Sequence, residues 1–290
     1  MKTGCPNKTC KNHKKTSSII RDGVFKRKDD SRIIQRYKCK ICGKRFSGAT
    51  FNLAKGQHKR RVNNKLFELY CSGVSMNRCA KLLRINPKTV ARKLDFLAKK
   101  CQRDNHKFRK KKTQDQVTHL QFDDLITIEH TKLKPLSVTL AIDANNRKIL
   151  GFRVSVIPAF GHLAELSRKK YGRRKNEHKK KLVELFKEIT PLVCSNALVQ
   201  SDQHTFYSPV VRRFLPHAEH RQHKGGRGCV AGQGELKKLH FDPLFMLNHS
   251  CAMLRANINR LVRKTWCTTK SVERLRMHLE LYMCYHNHYL

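Results

Sequence analysis

Apolar positions along this chain recur at two different spacings, and the change from one to the other divides it. Between residues 62 and 100 the spacing is helical. Residues 62–70 set Leu66, Phe67 and Tyr70 on one side, and the run Cys71-Ser72-Gly73 ends that helix on a glycine suited to the left-handed region. Ser75 stands where it can N-cap a second helix holding Cys79, Ala80, Leu82 and Leu83. Arg84-Ile85-Asn86 makes a tight turn, with Asn86 as cap and Pro87 at the first position of a third helix. That helix turns Val90, Leu94 and Leu97 inward and Lys88, Thr89, Arg92 and Lys93 outward. Residues 106–112, six of them Lys, Arg or His, read as a basic linker.

From residue 119 the texture becomes that of strands. Residues 119–128 carry Phe122, Leu125, Ile126 and Ile128. Residues 136–143 alternate and then become an apolar run, Asn145-Asn146 makes a turn through the tolerance of Asn for positive φ, and 148–156 form a third strand. A basic stretch, 168–181, leads into a helix with Leu182, Leu185, Phe186 and Ile189 on one face. A short buried strand, 197–202, ends in Asp202. Helices follow near 208–215, over 243–264 and over 271–289, with a glycine-rich loop at 225–234 between the first two. An antiparallel meander followed by strand and helices in alternation is the order of a ribonuclease-H-like α/β domain, here spanning 119–290. The fold class expected is α+β and multidomain.

The first 48 residues have too few apolar positions for a core of their own. They hold instead a C-x4-C pair, Cys5 and Cys10, and a C-x2-C pair, Cys39 and Cys42. Two such knuckles suit four thiolates closing on a structural Zn²⁺, and short strands between them describe a zinc ribbon over 1–48. His13 is an alternative ligand. Lys8, Lys38, Lys40 and Lys44 are close enough in sequence to offset the negative charge of such a site. Residues 61–104, a short helix, a turn and a helix with Lys88, Thr89, Arg92 and Lys93 exposed, form a helix-turn-helix whose N-terminal part would enter a major groove.

Charge sharpens the picture. The chain has 63 Lys and Arg against 21 Asp and Glu, a formal net charge of +42. Such an excess repels itself unless a polyanion is near; nucleic acid is the expected one, with an anionic membrane surface as the alternative. The absence of an apolar run of about 18 residues, or of the leader of a signal peptide, points to a soluble intracellular chain with no membrane partner. In that compartment the 12 cysteines are expected reduced, with no disulfide framework.

Two acids carry the candidate chemistry. Asp123 lies in the first strand of the meander and Asp202 ends the fourth. If those strands are neighbours, the carboxylates converge, and hard oxygen donors select Mg²⁺ or Mn²⁺. Two such ions support in-line phosphoryl displacement. A third ligand is open between Asn248 and Glu235. Asn248 shares a helix face with Arg255, seven residues on, which would meet a phosphate, and Asn259 continues that stripe. Glu235 sits in the glycine-rich loop. Between Asp242 and Glu273 the chain has no acid. Asp242 reads as a helix cap. Trp266, Lys264 and Lys270 are lesser candidates for DNA contact, His204 and His249 lie near the proposed ligands, and His286 and His288 read as surface groups.

Taken in order, several segments resemble a bacterial insertion-sequence transposase of the zinc-ribbon, acidic-triad kind. They are Tyr37-Lys38-Cys39-Lys40-Ile41-Cys42-Gly43-Lys44-Arg45-Phe46, Asn86-Pro87-Lys88-Thr89-Val90, Phe122-Asp123-Asp124-Leu125, Ser201-Asp202, and Leu254-Arg255 followed by Arg260-Leu261-Val262-Arg263-Lys264-Thr265. The resemblance implies binding to terminal inverted repeats, Mg²⁺-dependent strand cleavage and strand transfer into target DNA, by a homodimer or larger assembly in the bacterial nucleoid of the cytoplasm. It carries the first acid onto Asp123 rather than Asp124, and the second onto Asp202. The chain departs from the family pattern at Asn248, where a glutamate is expected. A non-catalytic DNA-binding regulator and a structure-specific nuclease are the rival functions.

Overall fold

The computed structural model describes residues 4–224, 242–262 and 267–290. These carry eight α-helices and two sheets, a mixed α+β architecture. The chain divides into two compact units, Met1–Phe67 and Glu68–Leu290.

In the first unit β1 (Ile19–Lys26), β2 (Ile33–Cys39) and β3 (Arg45–Ser47) form an antiparallel sheet in that order. Its centre is sulfur rather than hydrocarbon: Cys5, Cys10 and Cys39 are buried together, with Ile19 against them. Phe46 adds a small aromatic cluster with Tyr37 and Phe51. Val24 and Ile33, by contrast, are left largely exposed. A centre this small leaves the fold dependent on something other than apolar burial.

The helices of residues 62–112 form where their caps place them. After α1 (Asn63–Tyr70), Gly73 takes a φ of +70° and donates its N–H to the Asn257 carbonyl at 2.8 Å. A side chain there would combine a strained φ with a carbonyl oxygen 3.1 Å from its Cβ. Ser75 caps α2 (Met76–Leu83) by accepting from the Arg78 N–H, and Asn86 caps α3 by accepting from Lys88. Two differences from expectation follow. α3 runs from Pro87 to Lys112, so the basic linker at 106–112 is helix; no Gly or Pro interrupts residues 88–112, and Lys and Arg are good helix formers. Lys93 is buried rather than outward, because it joins the stripe of Val90, Leu94, Leu97 and Cys101 that packs into the protein.

The second sheet has β4 (Val117–Glu129), β5 (Thr131–Asp143), β6 (Ile149–Val156), β7 (Val193–Asp202) and β8 (Glu219–His223) in the spatial order β6-β5-β4-β7-β8. β4, β5 and β6 are antiparallel, whereas β7 pairs parallel to both β4 and β8. The meander and the 197–202 strand stand where the pattern puts them. β8 was not legible, since Glu219-His220-Arg221-Gln222-His223 carries no apolar signal. At the β5–β6 turn the positive φ falls on Arg147, not on either Asn. The asparagines serve through hydrogen bonds instead: Asp143 Oδ1 accepts from the Asn145 N–H, and Asn146 Oδ1 from the Lys148 N–H.

α5 (His178–Ile189) and α6 (Tyr207–Phe214) cover one face of this sheet. Leu182, Leu185, Phe186 and Ile189 are all buried, as their spacing predicts, and pack with Leu120, Phe122 and Val199. Gly151 on β6 allows the close approach of α5, since a Cβ there would lie 3.0 Å from Leu185. α4 (Leu163–Tyr171) is a helix that the pattern does not predict; it begins before the basic stretch 168–181 and overlaps its first four residues. α7 (Phe245–Asn257) packs on β4 and β5 and is shorter than the expected 243–264 helix. The chain turns at Ile258 into one 3₁₀ turn, Asn259–Leu261, so Asn259 leaves the helical stripe and donates to the Gly73 carbonyl. α8 (Val272–Tyr289) packs along α3 and β6. Its His286, expected at the surface, is buried and donates from Nε2 to the Arg147 carbonyl at 2.9 Å; His288 is exposed.

Candidate active site and metal centre

The four cysteines converge. Cys5, Cys10, Cys39 and Cys42 place their sulfurs within 4.8 Å of one another, three of them buried and Cys42 exposed. Cys5 and Cys42 sulfurs are 3.6 Å apart, and those of Cys10 and Cys39 3.9 Å. A tetrahedron with Zn–S bonds of about 2.3 Å has edges of about 3.8 Å, so the cluster could hold a zinc ion. The local electrostatics favour thiolate at Cys39 and Cys42 and disfavour it at Cys5 and Cys10. N–H groups of Cys42 and Ile41 pull Cys39 down to about 6, while burial pushes Cys5 up to about 12. Among the described residues the cysteines outside this cluster are also unbridged.

The second cluster is acidic. β4 and β7 run side by side with Gln121 opposite Gln200, and the two amides hydrogen bond at 2.8 Å. Two residues further along each strand come Asp123 and Asp202, on the same side of the pleat. Burial, then the charge of Asp202, pushes the Asp123 carboxyl up to about 7. Burial also raises Asp202, against the opposing N–H of His204, which donates to its Oδ1 at 3.1 Å. The Tyr207 hydroxyl donates to Asp123 Oδ1 at 3.3 Å. Like charges held this close favour a cation or a shared proton.

Asp124 turns to other partners. Its carboxylate accepts from the Thr139 hydroxyl and meets His178 Nε2 at 2.5 Å. Burial alone would raise Asp124, but the His178 contact brings it below the usual carboxylate range. His178 packs edge-on against His204, 4.8 Å away between ring centres, and His204 in turn lies 5.0 Å from Tyr207. Thr139, His178 and Tyr207 were missed in the sequence. Only the doubled acid Asp123-Asp124 hinted at them, since adjacent strand residues face opposite sides and the second needs a partner of its own.

The third position is less assembled. Asn248 is exposed on α7 and donates to Asp242 Oδ2 at 2.9 Å. Asp242 Oδ1 accepts from the Leu244 N–H in the turn before that helix; the helix N-cap is Leu244, without a side-chain cap bond, and not Asp242 as expected. Gln121 anchors α7 over β4 by accepting from the Leu247 N–H and donating to the Pro243 carbonyl. Arg255 is half-buried two turns along α7, close enough to act electrostatically on the buried Cys251. His249 contacts Arg147, and Lys270 contacts His130. Glu235, Lys264 and Trp266 lie outside the described residues.

Of the residues expected to read DNA, Lys88 and Arg92 are exposed, Thr89 is half-buried and Lys93 is buried. Among the described residues no helix is long and apolar enough to cross a membrane. No family model matches the chain, and no curated protein matches it.

Proposed function

We propose that this chain is a metal-dependent DNA transposase with a ribonuclease-H-like catalytic domain. One observation carries the proposal: Asp123 and Asp202 stand side by side on adjacent parallel strands, each raised by burial and Asp123 further by the charge of Asp202. The strand order supports it, with the first acid on the central strand and an antiparallel hairpin to one side. Their oxygens suit Mg²⁺ or Mn²⁺, which when bound supplies Lewis-acid stabilisation of phosphoryl oxygens and acidifies a bound hydroxyl. Asp123 and Asp202 hold the cation in this reading, Tyr207 orients Asp123, and Arg255 meets a phosphate. Lys88, Thr89 and Arg92 read terminal repeats, and the four-cysteine module, loaded with zinc, assists. Function as a homodimer on two ends, in the bacterial nucleoid, completes the proposal.

The neutral Asn248 favours a second reading, a regulator that binds DNA without cutting it. A cleavage assay separates the two, using duplexes that carry the ends of the encoding element and Mg²⁺. The parent should nick those ends, and Asp123→Ala or Asp202→Ala should lower the rate roughly a thousandfold with binding intact, because metal ligation supplies several kcal/mol to the transition state. Asn248→Glu should increase cutting, and loss of cutting in Glu235→Gln would assign the third ligand to the loop. Cutting of branched DNA without end preference would point to a structure-specific nuclease. Binding without any cutting leaves the regulator.

A further inference from the structure

We propose that residues 160–180 form a second duplex-DNA interface, distinct from the α2–α3 turn and placed to hold the DNA on which the acid pair acts. Arg168, Lys169, Lys170, Arg173, Lys179 and Lys180 are all exposed there; among the described residues the first five have no carboxylate partner, and Lys180 acts electrostatically on Glu184 without a salt bridge. Three exposed apolar side chains precede them: Phe160 is 65% exposed, Leu166 52% and Leu163 36%, the two leucines on α4 with Arg168, Lys169 and Lys170. Cations to meet phosphates, with exposed apolar groups beside them to meet sugars or base steps, match a duplex surface.

The segment is fixed, not loose. The Ser167 hydroxyl, buried, donates to the Leu133 carbonyl at 2.7 Å and pins α4 to β5. Arg174 donates to the Ile157 and Pro135 carbonyls and pairs with Glu129 Oε2 at 3.6 Å, at the far end of the β4–β5 hairpin. From there the chain returns to His178, which contacts Asp124 beside the acid pair. Six residues of strand separate Asp123 from Glu129, about 20 Å at 3.3 Å per residue. That is the length of about six base pairs at 3.4 Å each. A duplex held at the Glu129 end needs about that length to reach the acids.

The inference builds on the transposase proposal, but its test needs only binding, so either can fail without the other. The triple variant Lys169→Gln, Lys170→Gln, Arg173→Gln is compared with a charge-matched control, Lys99→Gln, Lys100→Gln, Lys187→Gln, on a duplex of arbitrary sequence across a salt series. Each lost phosphate contact should flatten the slope of log affinity against log salt by about 0.9. The patch variant is expected to flatten it by about two to three units and the control by clearly less. Equal slopes in both variants overturn the proposal. So does loss of binding to phosphatidylserine vesicles with duplex binding unchanged, which would make the surface a lipid site. If the triple variant fails to fold, acetylation of the parent decides: duplex should protect Lys169, Lys170 and Lys179, and unchanged labelling of all three overturns the interface.

Discussion

Asp123 is the residue through which solution conditions should act most directly. Its folded pKa of about 7 lies above the unfolded value of about 3.9, so between the two the folded protein keeps a proton that the unfolded chain has released. The contribution to stability is therefore complete below about pH 4 and lost as pH rises through about 7. Asp202 shifts in the same direction. In the absence of divalent cation, the thermal midpoint should fall between about pH 5 and about pH 8. Millimolar Mg²⁺ should restore it at the higher pH and do little at the lower, where the proton already occupies the site. Asp123→Asn should remove most of both responses. Melting curves at the two pH values, with and without Mg²⁺, measure this; no Mg²⁺ effect at about pH 8 would argue against cation binding by the pair.

Among the elements, α3 ties its own length to the second sheet and to α8. Its 26 residues span about 39 Å at 1.5 Å each. The exposed Lys88 and Arg92 stand at one end, and at the other Arg109 pairs with Glu188 at 2.7 Å and Lys112 with Asp143 at 3.2 Å. One turn before Arg109, the buried Asn105 amide donates to Glu280 at both its backbone carbonyl and its Oε2, the latter at 2.9 Å. Asn105→Ala strands these acceptors away from water and should cost about 1–3 kcal/mol in urea unfolding. The position of Lys93 yields a sharper contrast. Arg92→Ala should weaken binding to end-bearing DNA by about 1–3 kcal/mol with stability little changed. Lys93→Ala should instead lower stability through lost packing of its buried stem, with DNA affinity nearly that of the parent.

At the scale of the whole molecule, the two units use different sources of stability. Glu68–Leu290 buries aromatic and aliphatic side chains on both sides of a sheet, with Phe122 5.0 Å from Phe186 and 4.7 Å from Tyr207. Met1–Phe67 has little beyond its sulfur cluster and the Phe46 group. Metal removal by a strong chelator, or Cys39→Ser, should therefore unfold the three-stranded sheet, seen as lost chemical-shift dispersion for residues 5–47. Retained dispersion in both cases would mean that the unit folds without metal. The net charge of +42 acts on the molecule as a whole and should make its thermal midpoint rise with added salt or duplex.

Local chemistry was legible because it depends on neighbours in the chain. Ser75, Asn86 and Pro87 begin helices, Gly73 ends one, and Leu182, Leu185, Phe186 and Ile189 share a face, all by short-range sterics and periodicity. Cysteine spacing likewise marked the four-cysteine cluster that could hold a metal ion. Tertiary packing decided what depends on partners distant in sequence. It paired β4 with β7 so that Asp123 meets Asp202, gave Asp124 to His178, drew Lys93 inward and recruited the polar β8 as an edge strand. Periodicity assigns a side chain to a face, but only the elements packed against that face determine whether it meets water, a charge or another carboxylate.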